Sequence, residues 1–303
     1  MTLIKSAFAY RFLKLIKSGG KHFFQTIGLL LLTTVVNGQE LEPCYLYRSL
    51  NDLTGDHQEI STEKAIYTSI FGDDPASTKL IKGVKRLGYL TIASEGETEQ
   101  FNYEREETVY FVLKGEGLLN QDKKFRKLVK NDFFYVPANT EHSFSTTSEN
   151  QLHILVMGYK IPEKTLIEPG VIQLANTGQV EFQSLEQLNH GATSKFQLLL
   201  GTTQSERDRL AVAYQVNSLF VIDFDPGGTN IPHRHENEEE IYLVLQGKGD
   251  MVAGLNAQNE PNRFSAKAGD VFFFSRNCLV GFYSSTLKGE PNARILAIRS
   301  KYP

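Results

Sequence analysis

Residues 232–249 read PHRHENEEEIYLVLQGKG, and residues 100–117 read QFNYEREETVYFVLKGEG. Laid over each other, they pair Glu104 with Glu236, Glu106 with Glu238, Glu107 with Glu239, Tyr110 with Tyr242, Val112 with Val244 and Leu113 with Leu245. Both glycines of the closing Gly-x-Gly also coincide, and upstream Leu87 meets Leu219 and Gly96 meets Gly228. A correspondence over this span marks a duplicated structural unit, because the repeats of a solenoid are far shorter. In each copy an acidic link leads into a run of β-branched and aromatic residues that ends at glycine, the pattern of a strand entering a tight turn.

Working outward, each copy has the same grammar. An apolar strand (Leu87 to Ile92; Leu219 to Phe224) is followed by a Gly-containing turn, a short strand, the acidic link and the β-rich run. A second apolar block follows, Asp132 to Val136 in one copy and Val271 to Phe274 in the other. With 20 Phe, 13 Tyr and 24 Gly but no Trp, the composition favours strands and turns. The expected class is all-β, a sandwich or barrel in each half. A chain of 303 residues can bury two such cores. Pro162, Pro169 and the polar stretch from Gln179 to Lys195 place the boundary near residue 168, giving units 40–168 and 169–303. The net charge of -3 offers no electrostatic reason to expect nucleic acid or anionic lipid as a partner.

The chemistry lies in the pattern Gly227-x5-His233-Arg234-His235-x4-Glu240-x6-Gly247. On a strand, residues two apart project from the same face, so His233 and His235 present their imidazoles together. Glu240 opens the next strand, which the acidic link brings back alongside, and Tyr242 shares its face. Two neutral nitrogen donors and one carboxylate suit a divalent transition metal (Fe, Mn, Ni, Cu or Zn). The alternative is a pair of polar histidines at a barrel mouth. Glu236, Glu238 and Glu239 fall outside this frame and read as a solvated surface.

This segment resembles the first motif of the cupin superfamily at every defined position, and the duplication resembles a bicupin. The resemblance implies two tandem double-stranded β-helix (jelly-roll) barrels. It implies little about function, since cupins include dioxygenases, isomerases, decarboxylases, storage proteins and sugar-binding domains. The second cupin motif contributes a further histidine ligand, but here that position holds Val280. In the first half the pattern is reversed. His142 stands at the second-motif position, while Phe101 and Tyr103 replace the two histidines and Thr108 the glutamate. The expectation is a metal-free first barrel, its void filled by aromatic rings, with His142 in a structural role or binding ligand beside Tyr103. The second barrel keeps three ligands, His233, His235 and Glu240, with Tyr242 as a candidate contact to a small molecule. His190 or Cys278 are the residues considered as replacements for the missing ligand. Phe272, Phe274 and Tyr283 are further candidates for the pocket wall.

At the N-terminus, Lys5, Arg11, Lys14, Lys17 and Lys21 precede an apolar run from Phe23 to Val36 and then Asn37-Gly38. Charged, then apolar, then small is the order of an export signal, here residues 1–39, and the expected location is secreted or periplasmic. An uncleaved anchor is the competing reading. Cys44 and Cys278 could pair in an oxidising compartment, although a buried free thiol at Cys278 is the simpler expectation. Together these features point to an exported bicupin acting on a small organic molecule, as a dioxygenase or isomerase, or to a non-catalytic, sugar-like-binding or structural cupin. A homo-oligomer stays open as a further partnership.

Overall fold

The apolar runs of both copies form strands in the computed structural model, which describes residues 43–54, 60–72, 75–147, 151–165, 170–184, 193–287 and 289–303. The export segment, the boundary at residue 168 and His190 lie outside the described residues. Among those described, no helix is long and apolar enough to cross a membrane.

The first repeat contributes β1 (Tyr45–Ser49), β2 (Ala65–Phe71), the short helix α1 (Pro75–Leu80), β3 (Val84–Ile92), β4 (Glu106–Lys114), β5 (Glu116–Gln121), β6 (Lys124–Val129), β7 (Asp132–Val136), β8 (Ser143–Ser145) and β9 (Leu152–Lys160). The second contributes β10 (Gln173–Asn176), β11 (Ser194–Thr202), β12 (Leu210–Ala213), β13 (Val216–Phe224), β14 (Thr229–His233), β15 (Glu238–Gln246), β16 (Lys248–Leu255), β17 (Pro261–Lys267), β18 (Asp270–Phe274), β19 (Val280–Ser284) and β20 (Arg294–Lys301). The turn from β15 into β16 is made by Gly247 at φ +72°, and its counterpart Gly115 sits at φ +81°. In this left-handed region a side chain is strained.

Each repeat builds a large and a small sheet. The first barrel has the order β10-β7-β4-β9-β3-β2 and the small sheet β6-β5-β8; the second has β1-β18-β15-β20-β13-β11-β12 and the small sheet β14-β19-β16-β17. The opening strands are exchanged. β1 pairs antiparallel with β18 (Tyr45 opposite Phe274), whereas β10 pairs with β7 (Gln173 opposite Tyr135). Cutting the chain near residue 168 therefore does not separate the sheets, because each repeat supplies the edge strand of the other barrel.

Alternation along the strands accounts for three cores. In β4, Tyr110 and Val112 face the interior of the first barrel, while Val109 and Phe111 face outward. In β18, Phe272 and Phe274 enter the second barrel, while Val271 and Phe273 face outward. The outward sets of both large sheets meet in one shared cluster with Leu219, Val221, Ile241 and Leu243. A sheet buried on both faces needs continuous apolar runs, which explains the unbroken sequences TVYFVL and DVFFF.

Candidate metal centre

β14 ends at His233, and β15 starts at Glu238, so the intervening link is short. The backbone N–H of Asn277 donates to the His235 carbonyl at 2.7 Å, and the Arg234 guanidinium donates to the Asn277 carbonyl. These bonds fasten the link to the turn between β18 and β19. They bring His233, His235 and Glu240 together, with one donor atom from each lying within 4.8 Å of the other two. His233 Nε2 is 3.0 Å from His235 Nε2, which is 3.4 Å from Glu240 Oε2.

The outer contacts define what the inner atoms can do. His233 Nδ1 lies 2.8 Å from the Ile231 carbonyl, which only accepts, so the ring proton sits on Nδ1. His235 Nδ1 faces Glu238 Oε2 at 3.1 Å and donates in the same way. Both Nε2 atoms therefore point inward, and Glu240 Oε2 is buried there without a hydrogen-bond partner. Three electron-rich atoms this close repel one another unless a cation stands among them. The residues fit a divalent ion, and the outward N–H contacts are of the kind that orient histidine ligands. Without an ion, that cation is a proton on His235 Nε2: burial works against it, yet Glu238 and Glu240 raise the pKa of His235 to about 9, and a bound divalent ion would displace the proton. Glu238 is held down to about 2, burial being outweighed by His235, Arg299 and Asn217.

The triad opens onto a cavity of about 360 Å³. Its polar lining includes Ser218, Asn230, Tyr242, Arg207 and Arg299, and its apolar lining includes Phe196, Leu198 and Phe220. Comparison of the repeats explains the opening. In the first barrel Arg86 occupies the position of Ser218 and pairs with Glu106 at 2.8 Å, its guanidinium 4.0 Å from the Tyr103 ring. Glu106 needs Gly158 beside it, since a Cβ there would lie 1.9 Å from its Oε1. In the second barrel the arginine has moved to the adjacent strand as Arg299, which is aligned with Glu240 and lies 3.5 Å from Glu238. Ser218 then leaves space where Arg86 fills it.

Residues 88–158 match a family model described as Cupin domain, and residues 213–301 match one described as Cupin. The chain is a bicupin of the cupin superfamily. Among curated proteins it is 36% identical over 86 residues to Germin-like protein subfamily 2 member 4 of Arabidopsis thaliana, a match covering 28% of this chain and 38% of that protein. Germin-like protein 5-1 of Oryza sativa subsp. japonica is 37% identical over 86 residues, with the same coverage of 28% and 38%. The match thus spans less than two fifths of these relatives. Among solved structures, protein Ylba from E. coli superposes with a TM-score of 0.64 at 14% identity, over 87% of this chain and 93% of that one. Bacterial pirin YhhW from Escherichia coli, in complex with nickel(II), gives 0.62 at 13% identity over 86% and 100%. A mutant of Bacillus subtilis oxalate decarboxylase OxdC gives 0.60 at 12% over 85% and 78%. At these identities the likeness is one of fold.

The first barrel of the bicupin gathers Phe101, Tyr103 and His142 into a packed aromatic cluster. His142 is 1% exposed; its Nδ1 meets the Thr140 carbonyl at 2.9 Å and its Nε2 the Tyr110 hydroxyl at 2.8 Å. Phe101 lies 4.4 Å away, ring to ring. Burial lowers the pKa of His142 to about 4. Both nitrogens are engaged, which leaves none for a ligand. Tyr242, by contrast, lines the second-barrel cavity.

Two expectations are corrected. Cys44 and Cys278 form a disulfide, so Cys278 carries no free thiol and cannot replace the missing ligand. Nor is the acidic run all surface. Glu238 supports His235, and Glu239 is fully buried, accepting from the backbone N–H groups of Lys82, Gly83 and Val84. Of the pocket-wall candidates, Phe272 and Phe274 are plain core, and Tyr283 lies under the Arg263 guanidinium at 4.0 Å.

Proposed function

We propose that this bicupin is an exported protein that holds one divalent transition metal through His233, His235 and Glu240 and acts on a small organic molecule as an oxygenase or isomerase. The observation that carries the reading is the convergence of two inward-facing imidazole nitrogens and a buried carboxylate oxygen at the edge of a cavity. When bound, such an ion supplies a Lewis-acid centre and, if redox-active, a site for oxygen chemistry.

The chain's own residues would bind and orient the substrate. Tyr242 lines the cavity and accepts a hydrogen bond from Asn230 at 2.8 Å. Burial holds its pKa well above the ordinary tyrosine value, so it serves as a proton-bearing positioning group and not as a base. Export is supported by the disulfide, which persists in oxidising compartments, together with the charged and apolar order of the N-terminal sequence.

A second reading, a non-catalytic binding protein, is favoured by Val280. It is paired with His233 across β14 and β19 and offers no fourth ligand. Elemental analysis of the mature protein separates the two. The metal reading expects about one transition-metal ion per chain, lost in His233→Ala and in Glu240→Ala. Protein that stays ion-free after incubation with Fe, Mn, Ni, Cu or Zn would leave the binding reading standing.

A further inference from the structure

We propose that the second-barrel cavity takes an amphipathic organic acid, with its carboxylate on Arg299 beside the metal triad and its aromatic or branched aliphatic body against Phe196, Leu198 and Phe220. For the orientation of the acid toward the triad, this rests on the metal reading above.

The argument starts from charge. Arg299 comes from β20, directly across from the ligand Glu240 on β15, and lines the cavity. Its Nε is buried without a hydrogen-bond partner, and its ion pair to Glu238 is long at 3.5 Å. In the first barrel the equivalent carboxylate takes Arg86 at 2.8 Å, with a second contact at 3.4 Å. That arginine is spent on its partner, whereas Arg299, held by the long contact to Glu238, keeps 27% of its side chain exposed where it lines the cavity. Arg207, exposed, lines the same cavity. Arg207 and Arg299 thus place two guanidiniums at the cavity, and a bound divalent ion would add to their attraction for an anionic ligand. A guanidinium fork matches a carboxylate in shape as well as in sign.

Shape and polarity then exclude a bare diacid. Phe196 and Phe220 stand 6.0 Å apart, ring to ring, and with Leu198 form an apolar wall. An apolar cavity of about 150 Å³ accepts a benzene ring, so about 360 Å³ has room for a ring and its substituents. Ser218 and Asn230 supply a few polar contacts on the cavity surface, enough to fix orientation.

The test is calorimetric titration of the full mature protein with phenylacetate, its neutral isostere phenylacetamide, and acetate, with metal content measured on the same samples. Phenylacetate is expected to bind about ten- to one-hundred-fold more tightly than phenylacetamide, the range for a charged hydrogen bond, and more tightly than acetate. Arg299→Gln should remove the preference for acid over amide without emptying the metal site, and Phe220→Ala should weaken phenylacetate and phenylacetamide alike while leaving acetate unchanged. Equal binding of acid and amide by the unaltered protein overturns the proposal and needs no variant. Acetate binding as well as phenylacetate also overturns it. Ion-loaded protein with no acid preference sinks this inference and spares the metal reading. Ion-free protein that prefers phenylacetate through Arg299 does the reverse.

Discussion

Glu107 and Glu239 occupy equivalent positions of the repeat, and each sends its carboxylate into the backbone of the other barrel. Glu239 accepts from Lys82, Gly83 and Val84 at 2.7, 2.7 and 3.2 Å; Glu107 accepts from Tyr214, Gln215 and Val216 at 2.8, 2.7 and 3.0 Å. The Tyr135 hydroxyl also donates to Glu107 at 3.0 Å. Burial raises both carboxyl pKa values, opposed by these bonds. Truncating either side chain strands three N–H groups, each costing about 1–3 kcal/mol when buried and unpaired. Glu107→Ala and Glu239→Ala should each lower stability by about 3 kcal/mol or more in denaturant titrations. A loss below about 0.5 kcal/mol, the scale of a surface change, would mean that the clasp does not hold the barrels together.

His142 gives the first barrel a pH dependence of definite sign. Its folded pKa of about 4 lies below the ordinary value of 6.5, so the native state favours the neutral ring. The unfolded chain takes up the proton first as pH falls. Stability is therefore complete above pH 6.5 and is lost between about 6.5 and 4, by about 3 kcal/mol at most. Glutamine can accept from Tyr110 and donate to Thr140 without titrating. Stability curves of wild type and His142→Gln should diverge across that window, and parallel curves would contradict the assignment.

Glu238 is predicted to tune the metal without touching it. Its carboxylate holds His235 Nδ1 at 3.1 Å and is itself held by Asn217 Nδ2 at 2.6 Å. Loss of a partner of this type weakens metal affinity by about 10- to 100-fold. Glu238→Gln should show that loss in competition with a chelator while retaining the fold by circular dichroism. An unchanged affinity would remove Glu238 from the account.

The Cys44–Cys278 bridge closes a loop spanning 234 positions. On the chain-entropy account, a loop of this length contributes about 5 kcal/mol. Cys44→Ser, or unfolding in the presence of reductant, should move the denaturation midpoint markedly downward. Identical transitions with and without reductant would show that the bridge does not form in solution.

Much of this was legible in the sequence. The repeat, the alternation within strands and the spacing of His233, His235 and Glu240 are local patterns, and the structure brings those three side chains together. Glu239 was not legible as buried, because a charged run ordinarily faces water. A strand clamped between two cores buries both faces, so neighbouring glutamates point into different interiors. The signal available was its identity with Glu107 across the repeat. Arg299 carried no motif; an arginine interrupting the apolar run ILAI of the strand RILAIRSK was the only hint. The disulfide joins residues too far apart in sequence for spacing to pair them.

The exchange of β1 and β10 has a consequence for how the molecule comes into being. As the chain emerges from its N-terminus, β1 appears early but must wait, unzipped, until β18 has been made near the other end. The first barrel likewise lacks its border until β10 arrives from beyond the linker. Either half produced alone would present a bare sheet margin, a template for pairing with neighbouring chains. Closure of each barrel is thus deferred until the strand supplied by the other repeat has been made.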